Sequence, residues 1–359
     1  MTHLSGRPLA VSLHHFDPAT ASPAQWRRLH AFRRLRGEED FPGEPLLSDE
    51  EFEADLRTHR PLHQNDRFLA LHGEEIVGNL ILSQRRPDTP GSEDFARHLD
   101  LVGGGVAIAH RRRGVGTALL AGLAEFMDRH ARTLATATVR RVEGQRFMEA
   151  IGAHLKHRMV ENRLRFSQVD WNELARWDGD FPAAPHGLRW EVHARRVPLE
   201  TLASLIEPFT QLINQVPLGT LEVPRLRYEL DAYRSWYADM DRRGGEHFLV
   251  LLRDRDDGVA AMCDASWDQR FADRMHQQLT AVAAPWRGRG LAKAVKARML
   301  QLVRERHPQV QMAVTFNAAV NEAILSINRR LGYAVHREDA TYQLDRDSLR
   351  HYLRRRGPG

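Results

Sequence analysis

The chain has 359 residues, 42% of them hydrophobic and 28% charged, with a formal net charge of +5. That length and balance suit two globular domains, each able to bury a core. They exclude a disordered chain, and the apolar runs are too short to span a membrane. A single cysteine, Cys263, excludes an internal disulfide framework and a cysteine-based metal site, and no metal is expected.

Only three of the 52 basic residues are lysines: Lys156, Lys293 and Lys296. The arginines are interleaved with Asp and Glu, which argues against a nucleic-acid partner. Met1–Leu13 lacks a basic region followed by a long apolar one, so the expectation is a cytoplasmic protein without membrane association.

In chain order, Val11–His15 reads as an opening strand, followed by helical segments over Pro23–Arg36 and Asp49–Thr58. A hairpin, Phe68–Ser83, turns at His72-Gly73-Glu74. A longer strand, Leu99–Ile108, runs into a glycine motif. The helix after it, Val115–His130, carries Leu119, Leu120, Leu123, Phe126 and Met127 at helical spacing. A strand, a short helix and a last strand complete the set.

The order then recurs. After a linker at 169–187, with Pro182 and Pro185, come a strand at Leu188–Val192 and helices over Leu199–Gln215 and Val223–Arg243. A hairpin, Phe248–Trp267, turns at Asp256-Asp257-Gly258, and a strand, Gln277–Ala283, precedes a helix, Leu291–His307. Three landmarks align the two halves. Val106, Arg111 and Gly114 match Val282, Arg287 and Gly290 at an offset of 176, and the Phe68/Phe248 and Gly152/Gly332 pairs at 180. Two copies of one domain follow, 1–168 and 188–359.

Each copy places Arg-x-x-Gly-x-Gly/Ala between a strand and a helix: Arg111, Gly114 and Gly116, then Arg287, Gly290 and Ala292. The first amides of a helix have no partner within it and carry the positive end of its dipole. Small residues let the backbone approach an anion closely, and the neighbouring arginines add charge. The pattern suits a pyrophosphate. It has neither the third glycine of the dinucleotide fingerprint nor the Gly-Lys-Ser/Thr of a P-loop.

On these residues the sequence resembles the GCN5-related N-acetyltransferases, whose acetyl-CoA loop is Gln/Arg-x-x-Gly-x-Gly/Ala. Their later signature, an Asn followed eleven residues on by Gly-aromatic, is matched by Asn321 and Gly332-Tyr333. The likeness covers nearly the whole chain, once per half, as in tandem-domain bacterial members. It implies an α/β (α+β) fold of two tandem domains, each a mixed, V-splayed central sheet flanked by helices, with the pantetheine arm lying in the splay.

The resemblance assigns the backbones of Val282 and Ala284 to pantetheine. Arg287, Gly288, Arg289, Gly290, Leu291, Ala292 and Lys293 would hold the pyrophosphate, and Asn321 would contact the cofactor from the next helix. In the first copy Val106, Ile108, Arg111, Arg112, Arg113, Gly114, Val115, Gly116 and Thr117 match the same positions.

Many family members carry a Tyr seven residues after the signature Asn, as the acid for the leaving thiolate. Here that position is Asn328, which can hydrogen-bond sulfur but not act as an acid. The first copy has Arg141 and Met148 at the two positions, so the second copy is the expected catalytic one.

Attack on a thioester needs an amine that has lost a proton and a stabilised oxyanion. The backbone amide of Val282 is the expected oxyanion donor. His276, six residues before it, is the expected base, with Asp100 its counterpart in the first copy. Glu246 and Asp264 are further candidate bases, near strand positions expected to face the cleft, where carboxylates could equally hold a cationic amine substrate. The expected function is acetyl transfer from acetyl-CoA to the primary amine of a small-molecule acceptor by direct attack. A non-catalytic acyl-CoA-binding sensor or regulatory module is the alternative. The sequence leaves open the acceptor and whether the chain is a monomer or a homodimer.

Overall fold

The computed structural model describes residues 9–179 and 187–356. Prolines 182 and 185 of the expected linker lie outside them. Two compact units result. The N-terminal unit holds the described residues up to His157 together with Leu221–Pro224 and those from Ala340 onward. The C-terminal unit holds Arg158–Thr220 and Arg225–Asp339.

The N-terminal unit begins with β1 (Ser12–Phe16), α1 (Pro23–Asp40), α2 (Asp49–Arg57), β2 (His63–His72) and β3 (Glu75–Arg85). Then come β4 (His98–Val106), α3 (Val115–Arg129), β5 (Leu134–Val139) and α4 (Val142–Ala150). Ser22 and Ser48 start α1 and α2 with capping boxes to Gln25 and Glu51, which satisfy amides that no helical carbonyl reaches. Strands β1 to β4 pair antiparallel, and β4 pairs parallel with β5.

The strand β6 (His154–Arg165) follows α4 but leaves this unit at Arg158. The partner of β5 is instead Ala340–Asp345, antiparallel, from the end of the chain. Ala340, Tyr342 and Leu344 fill this unit's core with Leu349, and α10 (Arg346–Arg356) follows them.

The C-terminal unit has the same order: α5 (Trp171–Gly179), β7 (Arg189–His193), α6 (Leu199–Ile213), α7 (Leu230–Arg242), β8 (Glu246–Arg253) and β9 (Val259–Trp267). After these run β10 (Arg274–Val282), α8 (Leu291–Arg306), β11 (Met312–Ala318), α9 (Glu322–Leu331) and β12 (Ala334–Asp345). Strand β11 pairs parallel with β10 on one side and antiparallel with Met159–Arg165 of β6 on the other. Each unit thus takes its closing strand from the other half of the sequence, a departure from the expected division at 168.

Two further departures have local causes. Trp171–Gly179, expected as linker, is a helix that Asp170 caps through the amides of Asn172 and Glu173. Its Leu174 and Trp177 are buried in the core beneath α8. Helix α7 begins at Leu230 rather than Val223. Asn214 at the end of α6 bonds both backbone groups of Leu226, and Thr210 Oγ1 accepts from the Tyr228 amide, which holds that stretch extended.

In both units the parallel pair separates partway. Strands β4 and β5 pair from His98 to Leu101, yet β4 continues to Val106. Strands β10 and β11 pair from Arg274 to Gln277, while β10 continues to Val282 and β11 to Ala318. A register shift sits beside each separation, between Gln277 and Thr280 in β10 and opposite Ile81 and Leu82 in β4. An extra residue on one strand bends it away from its neighbour. The result is the V-shaped splay expected of the fold.

Candidate active site

At the open end of each splay lies the glycine loop. Gly114 and Gly290 take φ of 86° and 84° as the N-cap residues of α3 and α8, and no side chain caps either helix. The leading amides therefore stay available to an anion. Gly288 adds a second left-handed residue at φ 75°, where the first copy has Arg112 at φ 62°. A Cβ built on Gly114, Gly288 or Gly290 meets nothing within 4 Å, so the space beside both loops is open. The residues fit a pyrophosphate in both copies.

The backbone inside the splay differs between them. The Ala107 amide bonds Val77, so the polar groups of Val106 and Ile108 point into the N-terminal splay. There they are already engaged. Arg36 donates to the Val106 carbonyl at 3.1 Å, and Arg111 donates to it at 3.0 Å. The Ile108 amide donates to Glu39 at 2.8 Å. Arg36 is itself paired with Glu39 and Asp40, and Arg141 donates to the Glu39 carbonyl. The end of α1 thus clamps the positions that the resemblance gives to pantetheine.

In the C-terminal unit the Ala283 amide bonds Ala260, which likewise turns Val282 and Ala284 toward the splay. The Val282 carbonyl has one side-chain contact, Arg287 Nε at 3.3 Å. The Ala284 amide has no acceptor among the described residues. Arg287 also reaches Gln215 of the segment after α6.

The other expected residues are placed as follows. Asn321 is the N-cap of α9, its side chain accepting from the Ile324 amide at 3.5 Å. Asn328 is buried, and its Nδ2 donates to Asn317 Oδ1 at 2.7 Å while its Oδ1 has no partner. One of its two amide hydrogens is thus committed to Asn317 of β11. His276 pairs in register with Ser266, on the face of the sheet that Met262 shares with α6 and α7. Its ring has no hydrogen-bond partner among the described residues. Burial, with the Arg274 charge, lowers its pKa from the ordinary imidazole value.

Of the further carboxylates, Glu246 is held by Arg306 and His307. Asp264 accepts from His247 Nε2 at 3.1 Å, and the other ring nitrogen meets Tyr237 OH at 2.7 Å. Asp100, in the N-terminal unit, has its pKa raised by burial.

One carboxylate had no signal in the sequence. Glu161 of β6 is buried against Arg163 at 2.6 Å and Arg337, and its charge acts on His276. It comes from the first half of the sequence, and only the strand exchange brings it to this unit.

Residues 29–153 match the model of the Acetyltransferase (GNAT) family. The match falls on the first copy, although Asn321 belongs to the second. No curated protein matches the chain by sequence. Among solved structures, a tandem GNAT protein from the clavulanic acid biosynthesis pathway is 19% identical, with a TM-score of 0.71, 94% of this chain covered and 99% of that one. A GCN5-related N-acetyltransferase from Sphaerobacter thermophilus is 17% identical, with a TM-score of 0.63, 95% of this chain covered and 97% of that one. No helix among the described residues is long and apolar enough to cross a membrane. Residues 29–153 thus match the GNAT acetyltransferase family, whose members use acetyl-CoA, and the chain has the fold of tandem GNAT proteins.

Proposed function

We propose that the chain transfers the acetyl group of acetyl-CoA to the primary amine of a small acceptor, by direct attack, and that the C-terminal unit does so. The observation that carries this reading is the contrast between the two splays. The backbone of Val106 and Ile108 is taken by Arg36, Arg111 and Glu39, whereas the Ala284 amide has no acceptor among the described residues.

In this reading the amides from Arg287 to Lys293 bind the pyrophosphate, and Val282 and Ala284 align the pantetheine arm. The Val282 amide donates to the thioester oxygen as it gains charge. His276 accepts the amine's proton, which a neutral, unpartnered imidazole can do. Glu161, near enough to act on its charge, stabilises the imidazolium that forms.

The test is release of free thiol from acetyl-CoA in the presence of a panel of primary amines. The proposal predicts turnover with at least one amine and its loss in Gly290→Glu. Tight acetyl-CoA binding with no turnover across the panel would favour the sensor reading.

A further inference from the structure

Beneath the C-terminal splay lies a set of polar side chains that neither the cofactor loop nor the base uses. Lys296 of α8 is 1% exposed. Its Nζ donates to Gln277 Oε1, and it sits 5.2 Å from the centre of the Tyr333 ring. Tyr333 OH donates to the same Gln277 oxygen at 3.0 Å. Gln277 Nε2 donates to Cys263 Sγ at 3.3 Å, and Cys263 in turn meets Thr280 Oγ1 at 3.4 Å. Lys296 has no carboxylate partner among the described residues.

A buried cation without a counter-charge is strongly disfavoured. Burial pulls the Lys296 ammonium down to about 8. Such a group is poised to meet an anion or to give up its proton.

Its position indicates which anion. Gln277 is the last residue at which β10 still pairs with β11, so it marks the closed apex of the V. On the reading proposed above, the pyrophosphate lies at the open end of the splay and the arm runs inward past Ala284 and Val282. The sulfur end therefore points toward the apex that Gln277 and Lys296 occupy.

The first copy supplies an internal control. By the repeat offsets, Leu101 stands where Gln277 does, Leu120 where Lys296 does and Ala153 where Tyr333 does. By strand register, Gly104 and Leu80 occupy the places of Thr280 and Cys263. All five polar groups are replaced by apolar residues or glycine, in the same unit whose splay is clamped.

We infer that Lys296 is the proton donor to the coenzyme A thiolate in the C-terminal unit, the role for which Asn328 has no acidic proton. The amine nitrogen forms its bond to the acetyl carbon, and the carbon–sulfur bond breaks with its electron pair going to sulfur. The Lys296 ammonium gives that sulfur a proton, leaving a neutral lysine. The proton lost by the amine nitrogen passes through His276 to solvent, and Lys296 is reprotonated from solvent for the next cycle.

The inference rests on acetyl-CoA binding in this unit, and the experiment separates the two. With three lysines in the chain, ε-amino-labelled protein gives three NMR signals, assigned with Lys296→Met. Titrations are run with coenzyme A and with desulfo-coenzyme A, which lacks only the sulfur. The expected result is that coenzyme A raises the Lys296 titration midpoint by roughly one pH unit or more, as an adjacent anion does, while desulfo-coenzyme A leaves it where it was.

In parallel, Lys296→Met loses about tenfold affinity for coenzyme A at alkaline pH, as loss of a charge pair of that size implies, yet keeps its affinity for acetyl-CoA. Binding of both ligands with the same Lys296 response overturns this inference alone. Binding of neither coenzyme A nor desulfo-coenzyme A overturns the cofactor reading and this inference with it.

Discussion

At the residue scale, Lys296 makes a prediction about stability as well as chemistry. Its pKa is about 8 in the folded chain, against 10.5 for the free side chain. Between those values the unfolded chain binds the proton and the folded chain does not, so stability rises with pH through that window. Below about 8 both states are protonated and the full penalty of the buried charge applies. Lys296→Met, of similar length and apolar, is therefore expected to stabilise the chain by about 3 kcal/mol at pH 6 to 7. The gain shrinks above pH 8 and disappears toward pH 10.5. Urea unfolding of both proteins across that range measures it, and a gain independent of pH would show that the lysine is not buried as a cation.

The geometry of the candidate site was legible at this scale only in part, and the reasons differ by residue. Gly114, Gly288 and Gly290 could be read because a left-handed turn before a helix restricts the residue type. Asn328 could be located by spacing but not oriented, since its hydrogen bond to Asn317 comes from another element. Glu161 could not be read at all: its role depends on which unit receives its strand, and nothing in the local sequence of β6 encodes that.

At the element scale, α1 and α5 carry the testable differences between the halves. The end of α1 closes the N-terminal splay with Arg36 and Glu39, whose side chains take the carbonyl of Val106 and the amide of Ile108. Removing both, as Arg36→Ala with Glu39→Ala, is predicted to expose a second acetyl-CoA site. Calorimetric stoichiometry would rise from one per chain to two. An unchanged stoichiometry would mean that the clamp is not what closes this splay.

Helix α5 was read as linker because Pro182, Pro185 and several acidic residues mark the surrounding stretch. The short run Trp171–Gly179 offered too few turns for its apolar period to stand out. Its burial beneath α8 predicts that Leu174→Ala costs about 3 kcal/mol in chemical denaturation, the usual scale for truncating a buried leucine. A loss below about 1 kcal/mol would indicate that α5 is loosely docked.

At the scale of the whole molecule, the repeat was plain in the sequence and the exchange of closing strands was not. Offsets of 176 and 180 establish two copies, but strand pairing between distant segments leaves no local trace. The exchange has a physical consequence. A chain ending at residue 168 lacks Ala340–Asp345, so β5 loses its antiparallel partner and Tyr342, Leu344 and Leu349 leave the core. That fragment is predicted not to unfold cooperatively, because an open edge and a hollow core remove more stability than a domain has in reserve. A cooperative thermal transition for 1–168 alone would show that the copies fold independently of the exchange.

The central claim is that one splay, the C-terminal one, holds acetyl-CoA. Isothermal titration of acetyl-CoA into the wild type, Gly290→Glu and Gly114→Glu tests it most directly. Neither glycine has an atom within 4 Å of a built Cβ, so the new side chain meets no neighbour, and the left-handed φ of 86° and 84° strains both variants alike, which makes each the control for the other. The account predicts one site per chain in the wild type, none in Gly290→Glu and one, unchanged, in Gly114→Glu. Binding that survives Gly290→Glu and is lost in Gly114→Glu would contradict it and move the active site to the N-terminal unit.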